Sequence, residues 1–486
     1  MKSKILSLIS ISWMILLIAT NHVISAAADE VSAEEEALVK DLLGDTDADD
    51  KTIDCFSSVS DKQLADNKVS TLSPTELSRV LIEGSHSFAF DLLKALHKFE
   101  PKDNSFGLLM SPSSIWSTLV ITYLASNGET ETELRNKLRL QSISKSSVGL
   151  AYQGLKLWND LKKNMTKMSD SEKTILSQAN RIFVNNDLQI NPCFADYFDD
   201  DIRPMNFTTQ PIQSTRYING WVEELTNGKI TDLIPNGSIN PWTKMIIANA
   251  VYFHSKWLNE FTKDSTRNTT FFLSPTDEIS VEMMSMESTI MYGISEKLQV
   301  TAIDLSYANP DYSMIIILPD VGKGLDSLIA SITPADLYEL VANMYDDEVA
   351  IQLPKFKVEQ EFEMAGPLYS IGIKKLFDPR FANLSSLFAA AADNHVANGT
   401  NTTKSGHHHH RETGSGFALN SVIHKSYITV NEEGTEAAAA TALIYGRSGR
   451  PVFTTQFIAN RPFLYLIRDV ATNFILFLGT VRRPQQ

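Results

Sequence analysis

Near the C-terminus an Arg447-Ser448 bond stands between Gly446 and Gly449, followed by Arg450 and Pro451. A guanidinium can satisfy the buried carboxylate of a trypsin-like pocket and a serine side chain cannot, so chemistry favours cleavage after Arg447. Arg450 is the poorer bait, because most serine proteases reject proline just beyond the cut. Upstream, Thr435, Ala437, Ala439 and Thr441 make every alternate residue small. A strand's side chains alternate faces, so this stretch could enter a closed sheet with no bulky group to accommodate. Ala437–Ala440, taken alone with Glu433 and Glu436 beside them, would read as a short helix, because alanine loses no side-chain entropy there. A cleavable bond tethered to an insertable strand suggests a protease trap.

Other chemistry is sparse. There is no Gly-x-Ser-x-Gly elbow, no His-Glu-x-x-His and no phosphate-cradling glycine motif. Ser111, Ser114, Asn249 and His424 are the polar set from which a Ser-His hydrolase could be imagined. Four consecutive histidines, His407 to His410, sit in a polar stretch without the fixed geometry of a metal site. No metal and no cofactor is expected.

The elements around these residues read simply. A strand-like run, His424 to Val430, leads into Gly434, and two more, Phe463–Ile467 and Phe474–Leu478, follow the bait. Phe88, Leu92 and Leu96 recur at helical spacing, with order expected from Leu81. Ser111 suits an N-cap and Pro112 a first turn for a helix that Asn127-Gly128 would end. A third helix, near 150–163, carries Lys156, Lys163 and Lys167 on roughly one face; Asp160 interrupts that face and a sequon at Asn164 crowds it. Polyanion binding there is the sharper reading, and a solvated face the blander one.

The chain has 486 residues, is 43% hydrophobic and carries a net charge of -15, which fits a globular protein and argues against nucleic acid as a partner. Lys2 and Lys4 precede an apolar run, Ile5 to Ala19, and then Ser25-Ala26-Ala27-Ala28, the pattern of a cleaved secretory signal over residues 1–26. That run is short for a membrane span, so a secreted, extracellular protein with no membrane association is expected. Residues 27–80 are acidic and expected to be disordered, serving as a spacer or as a tail for a basic protease surface. Seven sequons begin at Asn164, Asn206, Asn236, Asn268, Asn383, Asn398 and Asn401, in keeping with a glycoprotein. Cys55 and Cys193 are the only cysteines; they could pair in an oxidising compartment or remain two thiols.

Asn431–Thr441 together with Phe457–Phe463 resembles the reactive loop and distal segment of an inhibitory serpin. Asn219–Val222, Asn227–Leu233, Asn249–Phe253 with Lys256 and Trp257, Ile315–Pro319 and Leu353–Phe356 resemble further serpin motifs, so the likeness spans about Leu81 to Pro484. It implies one α+β domain at 81–484 with about three β-sheets, eight to nine helices and an exposed reactive-centre loop at 434–456. Residues 389–417 depart from the family pattern as a polar, His-containing insertion. The likeness makes Glu433, Gly434, Thr435, Glu436, Ala437, Ala438, Ala439, Ala440 and Thr441 the hinge, with Glu432, Glu433 and Glu436 as solvated charges. It places Trp257 at the breach, where insertion begins. Ser111, Ser114, Asn249 and His424 become a structural shutter beneath the central sheet, not a catalytic set. Counting with the commonest serpin loop length moves the cut to Ser448–Gly449, so both bonds stay open. The function implied is trapping of a trypsin-like serine protease in a covalent complex by a monomer. A non-inhibitory carrier or storage protein is the alternative.

Overall fold

Pro74 and an acidic first turn at Glu76 start helix α1 (Pro74–Phe99), ahead of the Leu81 boundary expected from sequence. Leu77 and Val80 explain the earlier start, since both pack on the core that Leu81, Phe88, Leu92 and Leu96 build. A computed structural model describes residues 74–100, 106–168, 174–388, 417–435 and 454–485; side chains of 74–75, 158 and 161–168 lie outside that description. Outside it too fall the signal, the acidic tail up to residue 73, most of the His-containing insertion, and the reactive loop from 436 to 453.

Chain order continues with β1 (Leu109–Met110), α2 (Pro112–Ala125), α3 (Gly128–Lys137), α4 (Lys145–Met168), β2 (Ile175–Asn185), α5 (Pro192–Tyr197), β3 (Ile202–Met205) and α6 (Pro211–Leu225). Five strands follow: β4 (Met245–Lys256), β5 (Arg267–Ser274), β6 (Asp277–Ser295), β7 (Val300–Ser306) and β8 (Tyr312–Pro319). Then come α7 (Leu325–Ser331), α8 (Pro334–Ala342), β9 (Tyr345–Pro354), β10 (Phe356–Glu363) and α9 (Ala365–Ser370). Last are β11 (Ser421–Val430), β12 (Gly434–Thr435), β13 (Thr455–Ile458), β14 (Phe463–Asp469) and β15 (Ile475–Val481). Phe388 and Phe417 meet edge to face at 5.6 Å, so the polar insertion leaves and rejoins the domain at one point.

The fold is the α+β architecture that the resemblance implied, with nine α-helices among the described residues. Its strands form a nine-stranded and a six-stranded sheet. About three sheets were expected. The 19-residue β6 joins two of them, pairing with β7 at one end and with β5 and β9 over the rest.

Every residue of helix α2 but Ser117 is buried, its other serines and threonines included, as suits a helix at the centre of a domain. Two of its expected boundaries differ. Ser111 precedes α2 without a side-chain cap bond; its hydroxyl lies 3.3 Å from the Ser113 hydroxyl instead. The helix stops at Ala125, and Asn127-Gly128 opens α3, where Gly128 supplies a φ of 58°.

The smaller sheet runs β10-β11-β12-β4-β2-β3. Nine of the first nine residues of β4 are buried, as expected of a strand covered on both faces. Ile246, Ala248 and Ala250 lie in the cluster with Ile218 and Val222 of α6. Val251 and Phe253 lie in the cluster between the two sheets.

Candidate functional site

Strands β11 and β4 pair in parallel from Ser421 opposite Ile246 to Tyr427 opposite Tyr252. Beyond that point they part, and β12 occupies the opening. Thr435 pairs with Val430 of β11 and with Ser255 of β4, while Gly434 pairs with Lys256. The first hinge residues are therefore already strands of the sheet. Glycine is required at 434: φ is 154°, and a Cβ there would stand 2.2 Å from the Ser255 carbonyl oxygen.

The turn after β4 wraps this hinge. The Trp257 indole N–H donates to the Asn431 carbonyl at 3.0 Å, and the Trp257 backbone N–H donates to Glu433 at 2.9 Å. Phe261 N–H donates to the Glu432 carbonyl at 2.8 Å. Trp257 lies beside the opening between β11 and β4, and it stacks on Tyr307 with ring centroids 4.6 Å apart. The Tyr307 hydroxyl lies 2.9 Å from Thr435 Oγ1. Complete burial pushes that phenol well above its ordinary pKa, so it stays neutral and able to donate.

Glu432 and Glu433 correct an expectation. Neither is a solvated charge; they are 6% and 3% exposed. The Thr266 hydroxyl donates to Glu432 Oε1 at 2.8 Å, and Lys355 Nζ lies 3.5 Å away. Burial alone would raise the Glu432 carboxyl, but its own backbone amide, Thr266 and Lys355 together hold it below the usual value. Glu433 forms an ion pair with Lys263, whose own pKa is raised chiefly by that hydrogen bond. The local charge pattern gave no hint of this, because the partners lie far away in the chain. Glu436 to Thr441 and Arg447 to Arg450 lie outside the described residues.

Deeper in the same sheet, the structure brings Ser111, Ser114, Asn249 and His424 together and adds Asn180. Asn249 is opposite both His424 of β11 and Asn180 of β2. Its Nδ2 donates to the Ser114 carbonyl at 3.3 Å and to Asn180 Oδ1 at 3.2 Å. The Ser114 hydroxyl also donates to Asn180 Oδ1. His424 Nε2 accepts the Ser111 backbone N–H at 3.0 Å. A hydrolase would need that nitrogen on a serine hydroxyl; here a backbone amide holds it. Complete burial lowers the His424 pKa to about 3, so the ring is neutral. Two buried atoms of this set, Asn249 Oδ1 and His424 Nδ1, have no partner. Each such atom typically costs about 1–3 kcal/mol.

The remaining sites are scattered. Lys156 is tied to Asp201 at 2.6 Å, which removes it from an open polyanion-binding face; the side chains of Lys163 and Lys167 are outside the described residues. Asn236 and Asn268 are exposed, Asn206 and Asn383 are half-buried, and the Asn164 side chain, Asn398 and Asn401 lie outside. Cys193, at the start of α5, is disulfide-bonded. The chain's other cysteine, Cys55, lies outside the described residues.

The family model for serpins (serine protease inhibitors) matches residues 83–484. Serpin B6 of Macaca fascicularis is 32% identical over 414 residues, covering 83% of this chain and all of that protein. Antithrombin-III of Mus musculus is 31% identical over 395 residues, covering 80% of this chain and 78% of that one. Among solved structures, a serpin of the insect Tenebrio molitor, described as highly specific, superposes with a TM-score of 0.66 at 25% identity, over 85% of this chain and all of that one.

Proposed function

The chain belongs to the serpin family of serine protease inhibitors, and we propose that it is a secreted suicide substrate for trypsin-like proteases. The observation that carries this reading is the seat of Gly434 and Thr435 between β11 and β4. A loop whose first residues are already paired needs only release at its far end to continue into the sheet.

The protease supplies the catalytic groups. Its serine attacks the Arg447 carbonyl, the Arg447–Ser448 bond breaks, and the amine of Ser448 leaves. The protease is then esterified to Arg447. With the loop cut, Glu436 and the residues after it can follow Thr435 between β11 and β4, carrying the esterified protease across the domain. Insertion then competes with hydrolysis of the ester. Small side chains at 437 and 439 favour insertion, because they enter a sheet whose facing positions are filled. The Arg447 guanidinium selects a protease with a carboxylate at the base of its pocket. The N-terminal segment 1–26 directs the chain into the secretory route and is removed between Ala26 and Ala28.

Incubation with trypsin tests this directly. The expected product is an adduct that survives SDS and is lost in Arg447→Ala. Simple cleavage with full recovery of trypsin activity would instead favour a carrier or storage role. Secreted material whose N-terminal sequence begins at Met1 would end the signal-peptide claim.

A further inference from the structure

Among the described residues β5 pairs with β6 alone, so its second edge carries no partner strand. Alternate residues of a strand point their N–H and C=O groups to opposite sides, and hydrogen bonds show which residues of β5 face that edge. Phe272 N–H donates to the Asn460 carbonyl at 2.8 Å, away from β6. Just before the strand, Thr266 N–H donates to the Lys263 carbonyl, and the Thr266 carbonyl accepts from Arg267 Nη1. Asn268 is opposite Glu282, whose carbonyl accepts from Lys355 N–H on the far side of β6. Asn268 and Thr270 are therefore the outward pair between two occupied ends. Their backbone N–H and C=O groups meet no partner among the described residues.

This open stretch is also prone to pairing. Asn268-Thr-Thr-Phe-Phe-Leu273 has no charge, no proline and no glycine, and is rich in β-branched and aromatic residues. That composition on an exposed edge templates the addition of another strand. Other outer strands carry familiar guards. β1 and β13 are two and four residues long, and β3 contains Pro204. β10 places the exposed Glu359 and Glu361 in line with Lys357, whose N–H faces outward to Gln485. β5 has eight residues and, after Arg267, none of these devices. It has instead a sequon whose acceptor Asn268 and hydroxyl residue Thr270 are the two open positions themselves.

We propose that Asn268 carries a glycan, and that this glycan guards the β5 edge against strand addition by a second copy of the chain. In the secretory route, Asn268 Nδ2 loses a proton and bonds the anomeric carbon of an oligosaccharide, whose lipid diphosphate carrier leaves. Asn268 is exposed, so the folded protein accommodates the product. An arriving strand would lie about 4.8 Å from β5, inside the volume swept by a bulky glycan rooted on Asn268. Asn236 is exposed too, but it lies in the 226–244 connection between α6 and β4 and borders no strand edge. This inference rests on the secretory reading above.

The test begins with the full chain secreted from a eukaryotic host. Enzymatic deglycosylation in heavy-oxygen water, followed by peptide mass spectrometry, marks each asparagine that carried a glycan. Asn268 and Asn236 should both be marked. Wild type, Asn236→Gln, Asn268→Gln, Thr270→Val and Thr270→Lys are then compared by light scattering on a sizing column. Asn268→Gln and Thr270→Val each remove the sequon; Thr270→Lys removes it and sets a charge on the edge in its place. Wild type, Asn236→Gln and Thr270→Lys should stay monomeric, while Asn268→Gln and Thr270→Val should convert to oligomers. In those oligomers the amides at 268 and 270 should exchange more slowly than in the wild-type monomer, by roughly tenfold or more. A marked Asn236 beside a bare Asn268 would overturn the acceptor. Asn268→Gln and Thr270→Val proteins as monomeric as wild type, or oligomers whose amides at 268 and 270 exchange as before, would overturn the guard. Secreted protein without glycans at any sequon, or no secreted protein at all, would overturn the secretory reading and this inference with it.

Discussion

The hydroxyls of Tyr307 and Thr435 lie 2.9 Å apart, and both side chains are fully buried. This contact joins the inter-sheet core to the second residue of β12. Tyr307 also stacks on Trp257, which in turn holds the backbone at Asn431 and Glu433. The protein therefore already holds the start of the strand that we propose inserts.

Tyr307→Phe should loosen that seat. It leaves Thr435 Oγ1 buried without its partner, at a cost of about 1–3 kcal/mol, and retains the ring stack. The expected result is faster hydrogen exchange at Thr435 and altered Trp257 fluorescence. Combined with Thr435→Val, the two changes should be far from additive, since either alone breaks the same bond. Additive effects would mean that the contact contributes little.

Gly434→Ala should expel β12 from the opening. A Cβ 2.2 Å from the Ser255 oxygen and 2.5 Å from Lys256 Cα meets backbone, which cannot yield as a side chain might. Amide exchange at Lys256 and Thr435 should quicken while that of Ile246 to Tyr252, paired with β11, stays slow. Unchanged protection at Lys256 would contradict the seat as described.

Stability should fall as the pH is lowered below about 6.5. Burial lowers the pKa of His424 to about 3 and that of His86 to about 4. His86 Nε2 bonds the Asn473 carbonyl at 2.6 Å, and its Nδ1 meets the Tyr338 hydroxyl. The unfolded chain protonates these rings below about 6.5, and the folded chain does not until about 4 or 3. Stability is thus complete above the unfolded pKa and declines towards the folded values. The slope is up to ~1.4 kcal/mol per pH unit for each ring between those limits. Denaturant midpoints at pH 7.5 and pH 5 should show the loss; equal midpoints would mean that the rings are not held neutral.

Much of this was legible in the sequence, for a physical reason. The motifs around Asn249 and Trp257 carried the domain, which the family match over residues 83–484 bears out. What stayed hidden depended on partners distant in the chain. The likeness made Glu432 and Glu433 solvated charges; their partners are Thr266, Lys355 and Lys263, far away in the chain. Asn180 gave no local sign of its role, since only the antiparallel β2–β4 register sets it against Asn249. Tyr307 was not singled out, because its partners Trp257 and Thr435 are distant in the chain. Seating of Gly434 and Thr435 before cleavage was likewise invisible, because it depends on how far β11 and β4 diverge.

The most direct test of the account is the partition of Thr435→Arg between trapping and turnover with trypsin. The seat of Thr435 is fully buried, and an unpaired guanidinium there costs several kcal/mol. Each ~1.4 kcal/mol added to the insertion barrier gives ester hydrolysis a tenfold advantage. The measurement is the number of inhibitor molecules consumed per trypsin inactivated, with the cut bond identified in both proteins. The account predicts a value near one for wild type and a value many times larger for Thr435→Arg, still cut after Arg447 and releasing active trypsin. A Thr435→Arg protein that forms the SDS-stable adduct as efficiently as wild type would contradict it.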